Sequence, residues 1–247
     1  MTVTRRVVVA AATVPGALLV PRLAPAAPDP VKGSGMAATQ HRDVGPFTGV
    51  ALGAPFAVIL RSGSREGIDI VADDNLMRFI ETSLRVRGSE RTLRIDVVPG
   101  TRIDPTTPIV ITLAVVRLDA IALGSSGSVA ATGLTFDHLA ASIGGSGEIR
   151  LSAIQVADLD LSIGGSGRFV ADGRAGKLTV SIAGSGRCDA ERLIAGDVAV
   201  SVAGSGTATV HADNAIDASI AGSGDVLYRG NATPRATIVG SGRLKRL

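Results

Sequence analysis

A four-residue phrase ending in Ser-Gly returns along the second half of this chain at nearly fixed intervals. It reads Gly-Gly-Ser-Gly at 144–147 and recurs at Gly164–Gly167, Ala183–Gly186, Ala203–Gly206, Ala221–Gly224 and Val239–Gly242. A degenerate first copy, Gly-Ser-Ser-Gly, stands at Gly124–Gly127. The third residues of the copies are Ser126, Ser146, Ser166, Ser185, Ser205, Ser223 and Ser241, separated by 20, 20, 19, 20, 18 and 18 residues. A period in that range marks stacked repeats, each too small to bury an apolar face alone.

Aligning the copies on the serine turns the sequence into columns. Three positions before it stand Leu123, Ile143, Ile163, Ile182, Val202, Ile220 and Ile238. Five and seven positions before it the residues are again apolar, apart from the outermost copies. Between the first two columns stand Ala122, Ser142, Ser162, Ser181, Ser201, Ser219 and Thr237. This is a strand with aliphatic residues inward and a small hydroxyl outward. Alternation resumes after the motif, where Val129, Ile149, Phe169, Cys188, Ala208, Val226 and Leu244 form another inward column. Cys188, the only cysteine, therefore reads as a core residue rather than a reactive thiol.

The expected fold is all-β: a parallel β-helix, or β-solenoid, of about seven rungs. At ~4.8 Å per rung it makes a rod of roughly 30 Å. An aromatic content of 2%, with no Trp, suits the narrow interior of thin stacked sheets. The glycines Gly127, Gly147, Gly167, Gly186, Gly206, Gly224 and Gly242 read as structural turn residues, because a sharp bend needs positive φ or close backbone approach. The outward Ser142, Ser162, Ser181, Ser201, Ser219 and Thr237 are the candidate contact face.

Ahead of the repeats, residues 1–26 read as an export signal: Arg5-Arg6, an apolar run from Val7 to Val20, then Ala24-Pro25-Ala26. The run has 14 residues, short of the ~20 that span a bilayer, so no integral membrane segment is expected after cleavage. Thr4-Arg5-Arg6 leaves general and twin-arginine export both open. Without this leader the chain has 22 basic and 22 acidic residues, which argues against a nucleic-acid partner. Residues 27–42 read as a flexible tail and 43–118 as an N-terminal β segment, packed on or continuous with the solenoid of 119–247. In that segment, Asp73-Asp74-Asn75 are expected to cap a short helix through Ile80. Ser83–Arg87 and Thr92–Val98 form a hairpin about a loop at 88–91.

The recurring motif carries no chemistry by itself. A nucleophile would stand once beside a base, not seven times without a histidine. The calcium-binding glycine repeat has half this period, and a phosphate loop would end in Gly-Lys-Ser/Thr. His41, His138 and His211 lack metal-ligand spacing. Two positions after the serine stand Ser128, Glu148, Arg168, Arg187, Thr207, Asp225 and Arg243, a mixed-sign column that reads as a solvated face. No catalytic residue, metal or cofactor is expected.

The Gly-Ser-Gly array, the segment Asp225–Gly230 and the final Val239–Gly242 together resemble the bacterial putative auto-transporter adhesin family with the head GIN domain, over about residues 43–242. The resemblance implies export, a pectin-lyase-like β-helix and adhesion without an established reaction. It supplies no catalytic residues. The chain departs from the family in having Arg168 and Arg187 where Asp often follows the motif. The expected function is an exported, non-enzymatic envelope or cell-surface interaction module in the periplasm, on the surface or outside the cell. Its expected partner is a surface glycan or envelope protein, with a homodimer through the basic solenoid end as a further expectation. The alternative is a carbohydrate-active β-helix enzyme acting on an extracellular polysaccharide, with its site between the solenoid and residues 43–118.

Overall fold

The computed structural model describes residues 29–247, so the expected export signal at 1–26 lies outside the described residues. The chain is a β-solenoid. Long strands Glu148–Gly165, Arg168–Gly184, Arg187–Gly204 and Thr207–Gly222 lie parallel and in register, each on the next. The inward columns form the core: Leu139, Leu159, Leu178 and Ile216 are fully buried, and so are Ile149, Phe169, Cys188, Ala208 and Val226. Burying a large aliphatic side chain contributes ~1.5–3 kcal/mol, and each rung repeats that gain.

The corners are held by backbone bonds between rungs. Ser205 N donates to Gly184 O at 2.9 Å, and Thr207 N donates to Gly186 O at 3.1 Å. The glycine before the serine takes the positive φ, 122° at Gly204. The glycine after it serves clearance: a Cβ on Gly206 would lie 2.5 Å from Ile182 Cγ2 and 3.0 Å from Gly186 O. The differences in repeat length are absorbed elsewhere. Register shifts fall between Leu151 and Ile154, Val170 and Asp172, and Ala190 and Ile194, away from the corner.

The N-terminal segment continues the stack rather than packing on it. Gly49–Leu52 and Ala57–Ser62 pair in parallel with the first repeat, at Ala120–Leu123 and Ser128–Thr132. Beyond them lie Glu90–Val97 and Val110–Val115, also parallel, so the outer layer comes later in the chain than the layer it covers. Antiparallel strands then close this end. Ile80–Arg87 pairs with Glu90–Val97, and Gly67–Asp73 pairs with Val110–Val115. At the other end, Thr233–Gly240 is exposed along its whole length.

Three expectations are corrected in this closing layer. The flexible tail at 27–42 contains a six-residue strand, Ala37–Arg42, antiparallel to Gly67–Asp73. Its Arg42 guanidinium donates to Ile80 O at 2.7 Å and Met77 O at 3.1 Å. The expected helix is a single 3-10 turn, Met77–Phe79, whose N-cap is Leu76 without a side-chain cap bond. Asp73 is not free to cap it. This fully buried carboxylate accepts from Gly35 N at 2.9 Å, Thr106 N at 2.8 Å, Thr107 N at 3.1 Å and Thr107 Oγ1 at 2.8 Å. The hairpin turn is also tighter than expected, with Arg87 directly opposite Glu90.

Candidate interaction faces

The strands before each corner carry one exposed face. Along it, Ser142, Ser162, Ser181, Ser201, Ser219 and Thr237 are successive Cα partners, all exposed. The structure thus brings the six candidate contact residues into a single line at the rung spacing, ~4.8 Å. The line continues past the first repeat as Ala122, Ala51 and Arg94. That extension was not readable from the repeat columns, because residues 49–52 and 92–95 carry no Gly-Ser-Gly mark. The adjacent outward column runs Thr92, Gly49, Ala120, Ala140, Asp160, Thr179, Ala199, Asp217 and Arg235.

One shallow cleft runs along the C-terminal part of this face and another lies beside its other end. The one nearer the C-terminus, about 390 Å³, has walls from Thr179, Ser181, Ser201, Asp217, Ser219 and Arg235. The other, about 440 Å³, lies between the first repeat and the Gly88-Ser89 hairpin, with Glu90, Thr92, Arg117, Asp119 and His138 around it. There Arg117 Nε donates to Asp119 Oδ1 at 2.9 Å. The hydrogen bond and charge of Asp119 raise the Arg117 pKa, with Asp137 adding to the effect. His138 Nε2 stands 4.0 Å from Asp160 Oδ2. Among the described residues no group of three or more His, Cys, Asp or Glu side chains is placed to hold a metal ion. The turn glycines form a separate line at the corner, where Gly147, Gly167, Gly186, Gly206 and Gly224 are buried against the preceding rung. Cys188 is wholly buried between Phe169 and Ala208, and burial first, then the charge of Asp189, pushes its thiol up to about 12. It is a core side chain.

Residues 46–232 match the family described as putative auto-transporter adhesin, head GIN domain, which is most of the chain. The chain belongs to that family. Solved structures share the fold. A putative adhesin from Bacteroides fragilis NCTC 9343 superposes with a TM-score of 0.79 at 23% identity, over 88% of this chain and 100% of that one. A protein from Parabacteroides distasonis ATCC 8503, described as a putative lipid binding protein, gives 0.70 at 22% identity, over 89% and 100%. A putative adhesin from Parabacteroides merdae ATCC 43184 gives 0.64 at 20% identity, over 89% and 100%. None of the curated proteins compared matches the sequence. At these identities the likeness is one of fold.

Proposed function

We propose that this head GIN chain is an exported, non-enzymatic adhesin module that docks a surface glycan or envelope protein across its hydroxyl face. The observation that carries the reading is the unbroken exposed line from Ser142 to Thr237, whose last four members, Ser181, Ser201, Ser219 and Thr237, line a shallow cleft. A flat parallel face presents hydroxyls at one repeating distance, which suits a partner that repeats as well. Each hydroxyl can donate once and accept twice, so the line can match a polyhydroxylated surface without burying charge. The family's adhesin description agrees with this use.

The test is cell-surface and glycan-array binding by the full chain and by a Ser181→Arg/Ser201→Arg double variant. Both positions are exposed, so the fold is expected to survive. Binding weakened tenfold or more, with an unchanged circular dichroism spectrum, is the expected result. Unchanged binding would remove the face from the mechanism.

A second reading rests on the cleft beside Glu90, Arg117, Asp119 and His138, which lies where the solenoid meets the N-terminal segment. A carbohydrate-active enzyme would place its acid and base there. Release of reducing ends from a bound polysaccharide, lost on Asp119→Asn, would favour that reading over the adhesin.

A further inference from the structure

The strands after the corner carry a third cleft, of about 360 Å³, lined by Arg150, Arg168, Val170, Asp189, Glu191 and Arg192. Val170 is its floor. Val170 sits in an outward column between Arg150 and Asp189, yet it is only 7% exposed. Long side chains from neighbouring rungs wall it in, leaving an apolar base under a charged rim.

Most of the rim charges are already matched. Arg150 donates to Glu148 at 2.5 Å, Arg168 donates to Asp189 at 2.8 Å, and Arg229 pairs with Glu191. Arg192 is different, because none of the ion pairs among the described residues engages it. It reaches the cleft through a bulge: Val170 and Asp172 oppose Asp189 and Arg192, so this rung carries one extra residue. Bulges re-aim side chains in this way. In the neighbouring column Arg187 stands directly over Arg168, and like charges in register are destabilising. The cleft thus sets an unmatched guanidinium above an apolar floor, beside two stacked arginines.

We propose that this cleft binds a carboxylated sugar residue of an acidic polysaccharide. The sugar carboxylate takes the planar fork of Arg192, which suits a carboxylate better than a point charge would. Asp189 and Glu191, held in place by Arg168 and Arg229, accept hydrogen bonds from the sugar hydroxyls. The apolar side of the ring lies on Val170. This site is on the strands after the corner and the hydroxyl face is on those before it, so the two readings stand or fall separately.

The experiment is calorimetric titration of the full chain with galacturonate and glucuronate trisaccharides, and with a neutral galactose trisaccharide. The expected result is binding of at least one uronate, weakened by salt, and none of the neutral sugar. Arg192→Gln should weaken uronate binding about tenfold or more, and Arg192→Lys less. Arg87→Gln, on the remote Ile80–Arg87 strand, should leave it unchanged. Melting curves establish that each variant is folded. Failure of both uronates to bind, equal binding of the neutral sugar, or an equal loss in Arg87→Gln would overturn the proposal.

Discussion

At the scale of single residues, the two glycines of a corner do different work. The one before the serine bends the chain: Gly184, Gly204, Gly222 and Gly240 have φ between 119° and 124°. The one after it makes room for the rung beneath. At Gly206 a Cβ would press on both Ile182 and the Gly186 carbonyl, and neither can retreat without opening the core. At Gly144, two residues before the serine of its corner, a Cβ would meet nothing within 4 Å. Gly206→Ala is therefore expected to cost about 1–3 kcal/mol, and Gly144→Ala to stay within about 0.5 kcal/mol. Chemical denaturation of the two variants checks this. Equal losses would mean that clearance from the rung beneath is not what requires glycine at this position. Recurrence made these positions legible in the sequence, but not this division of labour. Clearance depends on which rung lies beneath, and no single copy of the motif contains that information.

At the scale of elements, the repeat strands could be read directly while the closing layer could not. A small outward residue, Ser in five of seven copies, and an inward Leu, Ile or Val in all seven recur, so errors in one copy are corrected by the others. The Ala37–Arg42 strand has one copy, Ala-Ala-Thr-Gln-His-Arg, with no apolar alternation to reveal it. It is held by groups far away in sequence, and Asp73 is the chief of them. Burial pushes the Asp73 carboxyl up, but the bonds from Thr107, Thr106 and Gly35 together outweigh it and leave the pKa below its ordinary 3.8. A lowered folded pKa means stability that is present above the unfolded value and lost as pH falls through the folded one. At the same strand, the hydrogen bond to Asp69 is the main cause that raises the His41 pKa above 6.5, so its contribution is lost as pH rises through the raised value. The exchange protection of residues 35–42 should therefore fall on both sides: in acid below pH 3.8, and again above pH 6.5. Asp73→Ala should remove the protection of Gly35, Thr106 and Thr107 at every pH and lower the melting temperature by about 5 °C. Hydrogen exchange followed by mass spectrometry reads both effects. Protection that persists in Asp73→Ala would show that strand pairing, not the carboxylate, anchors this segment.

At the scale of the whole molecule, the chain is one stack with two kinds of end. One end is closed by antiparallel strands over a parallel layer that comes out of chain order, with Glu90–Val97 lying outside Gly49–Leu52. That order was beyond the repeat columns, since nothing periodic links 92 to 49. Between the ends, each rung touches chiefly its two neighbours, so stability is close to a sum of rung and interface contributions. This makes a sharp demand on any deletion. Removing residues 187–206 joins Gly186 to Thr207, and Thr207 is the Cα partner of Arg187. The rung that follows then lands on Arg168–Gly184 with its columns still matched: Val200 is replaced by Ala218 over Val180, and Ser201 by Ser219 over Ser181. The shortened chain should fold cooperatively, lose ~4.8 Å of length in solution scattering, and melt a few degrees lower. Removing only residues 187–196 leaves half a rung with no place for its second side, and inward residues such as Val198 and Val200 would then meet a post-corner strand rather than their own column. That variant should lose its cooperative transition. If the half-rung deletion folded as well as the full one, register between columns would not be what holds the solenoid together.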